Sequence, residues 1–167
     1  VGRRLLAHLG PARAIGTYNS TPFAGGIRFD SLSMKIADVI DSPTAFSHAL
    51  VLLGDTQPDS CIADPKKSQA LNVASVCALF DELVELKIKP IFASTEFVFD
   101  GEAGKYTETD NPRPVLLYGA QKLQVEDHLC RLGSPHAILR FAKVYGSQPN
   151  DGTLFAGWVG QMNPGAV

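Results

Sequence analysis

Short apolar segments alternate with amphipathic helical segments along most of the chain, and this alternation restricts the possible fold more than any other feature. Residues 48–54 ("HALVLLG") and 89–95 ("KPIFAST") are apolar runs of strand length. Between them, residues 65–86 carry an apolar stripe at three- and four-residue steps, formed by Val73, Val76, Cys77, Phe80 and Val84. Buried strands joined by amphipathic helices are typical of a parallel sheet covered by helices. We therefore predict an α/β fold.

The same pattern extends over the rest of the chain. We predict helices at residues 2–9, about 31–41 (with Ser31 as N-cap), 65–86 and 117–132, and strands at 12–18, 25–30, 48–54, 89–95 and 136–146. Residues 96–114 are rich in Gly, Pro and Asp and predict a long loop, which at this length is usually functional or mobile. This order of elements indicates a doubly wound, parallel-sheet Rossmann fold.

One element of that fold is expected but not found. A doubly wound sheet starts with a strand, a Gly-rich turn and a helix, and its first strand lies in the middle of the sheet. Here Val1 and Gly2 lead directly into a predicted helix. We therefore expect the first strand and most of the Gly-rich turn to lie outside these 167 residues, and the chain to be truncated at both ends.

Composition excludes several classes of protein. A formal net charge of −2 provides no basic surface for a nucleic-acid backbone, so we do not expect nucleic acid as a partner. The apolar runs are too short to span a bilayer, which predicts a cytoplasmic protein without membrane contact. Cys61, Cys77 and Cys130 are scattered, as are the four histidines. We therefore predict buried, reduced thiols and no metal site.

The stretch "PVLLYGAQK" (residues 114–122) contains the first candidate for chemistry. Tyr118 and Lys122 are four residues apart, so on a helix they lie on one face. A cation beside a phenol favours the phenolate and lowers the pKa of the tyrosine, which would then exchange a proton near neutral pH. A carbonyl that receives hydride at its carbon needs such a proton donor at its oxygen. The alternative is that both are ordinary solvated residues.

Two hydroxyls follow a predicted strand. Ser94 and Thr95 end the apolar run at residues 89–95. Ligands of open α/β sheets bind at the carboxyl ends of the strands, so a hydroxyl there can hold the same carbonyl oxygen as Tyr118. Equally, it can cap the turn that follows.

Four motifs occur in order along the chain: "ASTEFVFDG", "YTETDNPRP", "YGAQKLQVED" and "LRFAKVYG". Together they resemble the extended short-chain dehydrogenase/reductase superfamily, and within it the dTDP-4-dehydrorhamnose reductase group of sugar-nucleotide reductases. The resemblance implies that Thr95 binds the substrate carbonyl and that Tyr118 protonates its oxygen. It also implies that Lys122 lowers the pKa of Tyr118 and, with it, contacts the nicotinamide ribose.

The resemblance also implies a cofactor site. Gly2 matches the last glycine of the phosphate-binding turn, at a helix N-terminus that attracts pyrophosphate. Asp30 matches the position that faces adenine, and Gly54 passes close to the cofactor. Asn72 falls where the superfamily often has an asparagine, which is as readily structural. Residues 1–146 would then form a partial NAD(P)-binding Rossmann domain, and residues 147–167 the start of a truncated substrate-binding region.

The sequence departs from the family pattern in ways that bear on the cofactor. The strand ending in "GTYNS" lacks the acidic residue that binds the ribose 2′-hydroxyl of NAD, and Tyr18, Asn19, Ser20 and Thr21 can surround a 2′-phosphate instead. We therefore favour NADP, with NAD as the alternative. The turn after residue 54 is unusually polar, so Asp55 and Asp59 must face away from a pyrophosphate.

Two functions follow from these observations. The first is NAD(P)H-dependent reduction of a keto group on a nucleotide-linked deoxysugar, with Tyr118 as proton donor. The second is a non-catalytic, NADP-binding regulatory subunit similar to the beta subunit of methionine adenosyltransferase. The amphipathic helices at 65–86 and 117–132 would also suit a homodimer, although apolar stripes of this kind more often face the core.

Overall fold

The computed structural model describes residues 1–144, so the region predicted at residues 147–167 lies outside the described part of the chain. The helices are α1 (Gly2–Leu9), α2 (Ile36–Val39), α3 (Pro58–Ala63), α4 (Pro65–Gln69), α5 (Ser75–Glu85) and α6 (Leu117–Arg131). Short 3₁₀ turns occur at Pro43–Ala45 and Glu96–Val98, and a π-helical turn at Ala70–Ala74 joins α4 to α5. Within residues 1–144 no helix is both long and apolar enough to cross a membrane.

All five described strands pair in parallel. They are β1 (Gly16–Tyr18), β2 (Gly26–Arg28), β3 (His48–Val51), β4 (Lys89–Thr95) and β5 (Ala137–Phe141). β1 pairs with β2, while β3, β4 and β5 form a second sheet in that order, with Leu50 opposite Ile91 and Thr95 opposite Phe141. Parallel strands joined by helices confirm the predicted α/β Rossmann-like class.

A groove of about 930 Å³ separates the two sheets. One wall includes Thr17 and Tyr18 of β1, and the other includes Leu50 and Val51 of β3. In a doubly wound sheet the first strand lies between these two positions, and none of the strands described in residues 1–144 does so. The expectation that the first strand is not part of the described chain therefore agrees with the topology.

The hydrophobic core lies between the three-stranded sheet and the helices α5 and α6. Phe80 of α5 meets Phe92 of β4 edge to face, with ring centroids 5.5 Å apart, and neither ring is exposed. Val125 and Leu129 of α6 belong to the same cluster. Burial of each such side chain contributes about 1.5–3 kcal/mol. The apolar stripes that would also have suited a dimer therefore face the core.

Three local predictions were wrong. The helix predicted at about residues 31–41 has only four residues, and Ser31 does not cap it: its Oγ lies 3.0 Å from that of Ser75. Instead, the Glu82 carboxylate accepts hydrogen bonds from the backbone N–H groups of Ile36 and Ala37. The predicted helix at 65–86 is interrupted by the π-helical turn and preceded by α3. Of the three thiols predicted to be buried, Cys61 is buried, Cys77 is half-buried and Cys130 is exposed.

Candidate active site

Thr95 is the last residue of β4, at the carboxyl end of the sheet. Its side chain is buried, and its hydroxyl accepts a hydrogen bond from the N–H of Phe97 (3.3 Å), which caps the following 3₁₀ turn. The same hydroxyl donates its hydrogen to Oε2 of Glu96 at 2.8 Å. The alternative that this hydroxyl caps the following turn is therefore observed, while its contact with a carbonyl oxygen stays a prediction.

Tyr118 lies in the first turn of α6, and only 7% of it is exposed. Its ring meets the edge of Phe97, with centroids 6.2 Å apart. None of the hydrogen bonds among the described residues involves the Tyr118 hydroxyl, which can therefore meet a ligand. Burial, and after it the negative charge of Glu96, raises the pKa of Tyr118 to about 12. The phenol thus holds its proton at neutral pH.

Lys122 lies one turn further along α6 and is also buried. Its Nζ donates a hydrogen bond to the carbonyl of Ala93 (3.0 Å) and lies over the rings of Phe92 (4.6 Å) and Tyr118 (5.8 Å). Burial lowers the pKa of Lys122 to about 8. The predicted shared face of the pair is confirmed, but the structure shows the pKa of Tyr118 raised rather than lowered. The reason is that burial outweighs an ammonium directed at the Ala93 carbonyl.

Gly119 allows the 3₁₀ turn that follows β4 to approach α6 closely. A Cβ at this position would lie 2.1 Å from the carbonyl oxygen of Phe97 and 3.2 Å from Cβ of Pro114. Real Cβ atoms do not come this near to a backbone oxygen, so only glycine permits this packing. The "YGAQK" motif therefore contains a positional requirement besides Tyr118 and Lys122, and sequence reasoning missed it.

Gly54 lies beside Lys122, in the turn after β3. Its φ of +138° favours glycine, and a Cβ there would lie 2.9 Å from Oδ1 of Asn72 and 3.9 Å from Nζ of Lys122. Asn72 holds this turn, because its side-chain amide accepts from the N–H of Asp55 (2.7 Å) and donates to its carbonyl (3.0 Å). The same amide donates to Oε1 of Gln121 (2.8 Å) on α6. Asn72 thus joins the predicted cofactor turn to α6.

The polar turn after Gly54 does not direct the Asp55 carboxylate at this site. That carboxylate accepts hydrogen bonds from Ser60 Oγ and from the N–H of Gln57, and these bonds lower the pKa of Asp55. It therefore lies against the start of α3.

The two other predicted cofactor residues differ in position. Gly2 begins α1 and lines the groove between the sheets together with Gly54. Asp30 follows β2, and its carboxylate accepts the N–H of Leu32 in a local turn. Asp30 is not among the residues that line the groove. The structure therefore brings Gly2, Gly54, Tyr18 and Asn19 to one cleft and leaves Asp30 outside its walls.

Glu126 was not anticipated from the sequence, although it is almost fully buried. It pairs with Arg140 of β5, whose Nη2 donates to Oε2 at 2.7 Å, and it accepts the hydroxyl of Ser94. Ser94 therefore contacts α6 through Glu126. A signal was present, because Tyr118, Lys122 and Glu126 follow one another at four-residue steps on the same helix face.

The predicted loop at residues 96–114 is packed in the structure. The rings of Phe99 and Tyr106 stack with centroids 4.3 Å apart, and the guanidinium of Arg140 lies 5.0 Å from the Phe99 centroid. Tyr106 also donates its hydroxyl to Asp100. Through Arg140 and Glu126, this stack connects the loop to the helix that carries Tyr118.

Comparison with known proteins shows the family of this chain. Residues 50–156 match the family described as the RmlD substrate binding domain. The chain belongs to this family. A probable low-salt glycan biosynthesis reductase, Agl14 of Haloferax volcanii, is 38% identical over 108 residues, which is 62% of this chain and 36% of that protein. The methionine adenosyltransferase 2 subunit beta of Rattus norvegicus is 34% identical over 92 residues, 55% of this chain and 28% of that protein.

A solved structure titled hypothetical dTDP-4-dehydrorhamnose reductase, from Sulfolobus tokodaii, is 26% identical with a TM-score of 0.72. It covers 87% of this chain, which spans 52% of that structure. A dTDP-4-dehydrorhamnose reductase of Bacillus anthracis in complex with NADP shares the fold at 21% identity and a TM-score of 0.68, over 89% of this chain and 52% of its own. The resemblance identified from the four motifs is confirmed. The matched regions are about a third of the curated relatives and about half of these structures.

Proposed function

We propose that the protein containing this chain is an NAD(P)H-dependent reductase of a keto group on a nucleotide-linked deoxysugar. The observation that carries the proposal is the buried Tyr118, which keeps its proton and whose hydroxyl makes no hydrogen bond within residues 1–144. It lies one helical turn from Lys122, and its ring meets that of Phe97, two residues after Thr95. A protonated acid in a dry site at the carboxyl ends of parallel strands suits protonation of a carbonyl oxygen.

The nicotinamide dinucleotide would bind along the edge of the groove that carries Gly2 and Gly54, because the interior between β1 and β3 is the position of the first strand in a doubly wound sheet. Gly2 and Gly54 both line the groove, and at Gly54 the missing Cβ leaves the backbone open beside Lys122. The N-terminus of α1 presents unpaired N–H groups at Gly2, which suit a pyrophosphate. When bound, the nicotinamide supplies hydride to the keto carbon. Residues 1–144 supply the remaining parts: an acid at the oxygen, a cation beside it and backbone for the phosphates.

Each residue of the site then has a separate role. Tyr118 holds a proton and releases it to the oxygen as negative charge develops there. Lys122 lies over the phenol ring and stabilises the phenolate that remains. Ribose hydroxyls beside Lys122 would accept from its ammonium and favour the charged form, because hydrogen bonds to a charged form stabilise it. Thr95 provides a hydroxyl at the end of β4, and Gly119 lets the 3₁₀ turn that follows this strand pack close to α6.

We propose NADP as the preferred cofactor. β1 ends at Tyr18, and both Tyr18 and Asn19 line the groove without a carboxylate beside them in the sequence. An acidic residue at this strand end would bind the 2′-hydroxyl of NAD and repel a 2′-phosphate. Isothermal titration should therefore show tighter binding of NADPH than of NADH. Tighter binding of NADH would reverse this assignment.

A decisive test uses the full-length protein with NADPH and a 4-keto sugar nucleotide, following the absorbance of NADPH. We expect turnover in the wild type and a loss of roughly 10²–10⁴-fold in Tyr118→Phe, the contribution of a general acid. Tyr106→Phe is the matched control, since it removes another phenol hydroxyl but retains the ring that stacks on Phe99. Normal NADPH binding without turnover on any keto sugar nucleotide would reject the proposal.

The similarity to methionine adenosyltransferase subunit beta supports a second candidate, a non-catalytic subunit that binds NADP and a partner enzyme. This candidate predicts a stable complex with a catalytic partner whose kinetics change on binding. A pulldown with the full-length protein, followed by kinetics of the captured enzyme, distinguishes the two. The subunit hypothesis requires that Tyr118→Phe leaves the partner's kinetics unchanged.

A further inference from the structure

Glu96 directly follows Thr95, and its carboxylate accepts the one hydrogen that the Thr95 hydroxyl can donate. A threonine hydroxyl has one O–H donor and two acceptor lone pairs. The hydrogen is given to Oε2 of Glu96 at 2.8 Å, and one lone pair accepts the N–H of Phe97 at 3.3 Å. In this arrangement the hydroxyl can accept one more hydrogen bond but has no hydrogen left for a carbonyl oxygen.

This geometry conflicts with the role of Thr95 that the resemblance implies. To bind a substrate carbonyl, Thr95 must donate, and its hydrogen must turn away from Glu96. We propose that Glu96 is a positioning residue that holds the Thr95 hydrogen and competes for it with the carbonyl oxygen of the substrate. This inference rests on the proposed reductase function and adds a residue that limits carbonyl affinity.

The surroundings of Glu96 allow the Thr95 hydroxyl to exchange the Glu96 carboxylate for the substrate carbonyl as its hydrogen-bond acceptor. Thr95 is buried, whereas Glu96 is half-buried at the start of a 3₁₀ turn of only three residues, Glu96–Val98. Its carboxylate can therefore turn to water when Thr95 is recruited, so the exchange leaves no charge without solvation. Glu96 also acts on Tyr118, because its charge is the second largest cause of the raised pKa of the phenol. One side chain thus influences both groups that meet the carbonyl oxygen.

Because the Glu96 carboxylate competes with the substrate, its removal should strengthen substrate binding rather than weaken it. In the full-length protein, Glu96→Ala should bind the keto sugar nucleotide in its NADP⁺ complex roughly tenfold more tightly than the wild type, since the charge-assisted bond that substrate must break is gone. Glu96→Asp should restore weaker binding because it keeps the carboxylate. Glu102→Ala is the matched control, an exposed glutamate in the same loop. A merely structural role would weaken binding in Glu96→Ala, and equal or weaker binding overturns the proposal.

A second measurement needs no substrate. A double-mutant cycle reports the coupling of the two side chains. It compares the thermal midpoints of the wild type, Thr95→Val, Glu96→Ala and the double variant. We expect Glu96→Ala to lower the midpoint less when Thr95 is already valine; additive effects would overturn the proposal. Turnover is measured separately. If substrate binds without being reduced, the reductase function fails, while the cycle and the binding comparison still decide the role of Glu96.

Discussion

Replacing Lys122 by methionine should stabilise the protein while removing its function. Lys122 is a buried ammonium whose pKa falls from an ordinary 10.5 to about 8. This difference of about 2.5 corresponds to roughly 3 kcal/mol of cost for burying the charge. Methionine keeps an apolar chain over Phe92 but leaves the Ala93 carbonyl without its donor, which costs about 1 kcal/mol. The net expectation at pH 7 is a stabilisation of about 2 kcal/mol.

The sign of this effect depends on pH. Below pH 8, Lys122 is charged in both the folded and the unfolded protein, so the full burial cost is present. Between pH 8 and about 10.5 the folded state has lost the proton while the unfolded state still binds it, so wild-type stability rises with pH. Above this range the lysine is neutral in both states and the cost is gone. The advantage of Lys122→Met should therefore disappear as pH rises through this window.

The assay is urea unfolding of full-length wild type and Lys122→Met at pH 7 and pH 10.5, followed by circular dichroism. Lys66→Met is the control, because Lys66 is an exposed lysine on α4 and its replacement should change stability little at either pH. Reductase activity of Lys122→Met should be lost at both. The reasoning is refuted if Lys122→Met is less stable at pH 7, or if its advantage is the same at pH 10.5.

Two further substitutions test the geometry of the site. Gly119→Ala should cost about 1–3 kcal/mol of stability and lower kcat on the order of 100-fold, because its Cβ displaces the Phe97 carbonyl by about 1 Å. The control Ala120→Ser, at the next residue, should change kcat little. Comparable activity of the two variants would contradict the close-packing argument. Asn72→Ala should lower the unfolding free energy by roughly 2–3 kcal/mol and weaken NADPH binding in titration, since both backbone groups of Asp55 lose their partner; unchanged NADPH affinity would exclude a role in holding the turn.

The sequence predicts the parallel strands and the main helices because their apolar residues recur at short, regular intervals. It does not predict where α2 begins, because the cap is supplied by Glu82, which lies 46 residues from Ile36 in sequence and on another helix. The π-helical turn around Asn72 could not be predicted from the sequence for the same reason. Its hydrogen bonds to Asp55 and Gln121 depend on how three separate segments meet.

At the site, sequence spacing predicts which way the side chains point but not their pKa values. The four-residue step places Tyr118 and Lys122 on one face, and the two-residue period of β4 would also have separated Ser94 from Thr95. The pKa of Tyr118 follows instead from burial beside Phe97 and from the charge of Glu96, which only the folded chain brings together. Local spacing therefore predicted that Tyr118 and Lys122 share a helix face, but it gave the wrong direction for the pKa of Tyr118.

Transfer of label from cofactor to sugar is the most direct test of a carbonyl-reducing site built on Tyr118. Full-length protein would be incubated with NADPH deuterated at C4 of the nicotinamide, in separate reactions for each face, and a 4-keto sugar nucleotide, with the product analysed by mass spectrometry. We predict one deuterium in the product from one of the two labelled cofactors, and its near-complete loss in Tyr118→Phe. A wild type that binds NADPH and sugar nucleotide but transfers no deuterium, or a Tyr118→Phe variant that transfers it at the wild-type rate, would contradict this assignment.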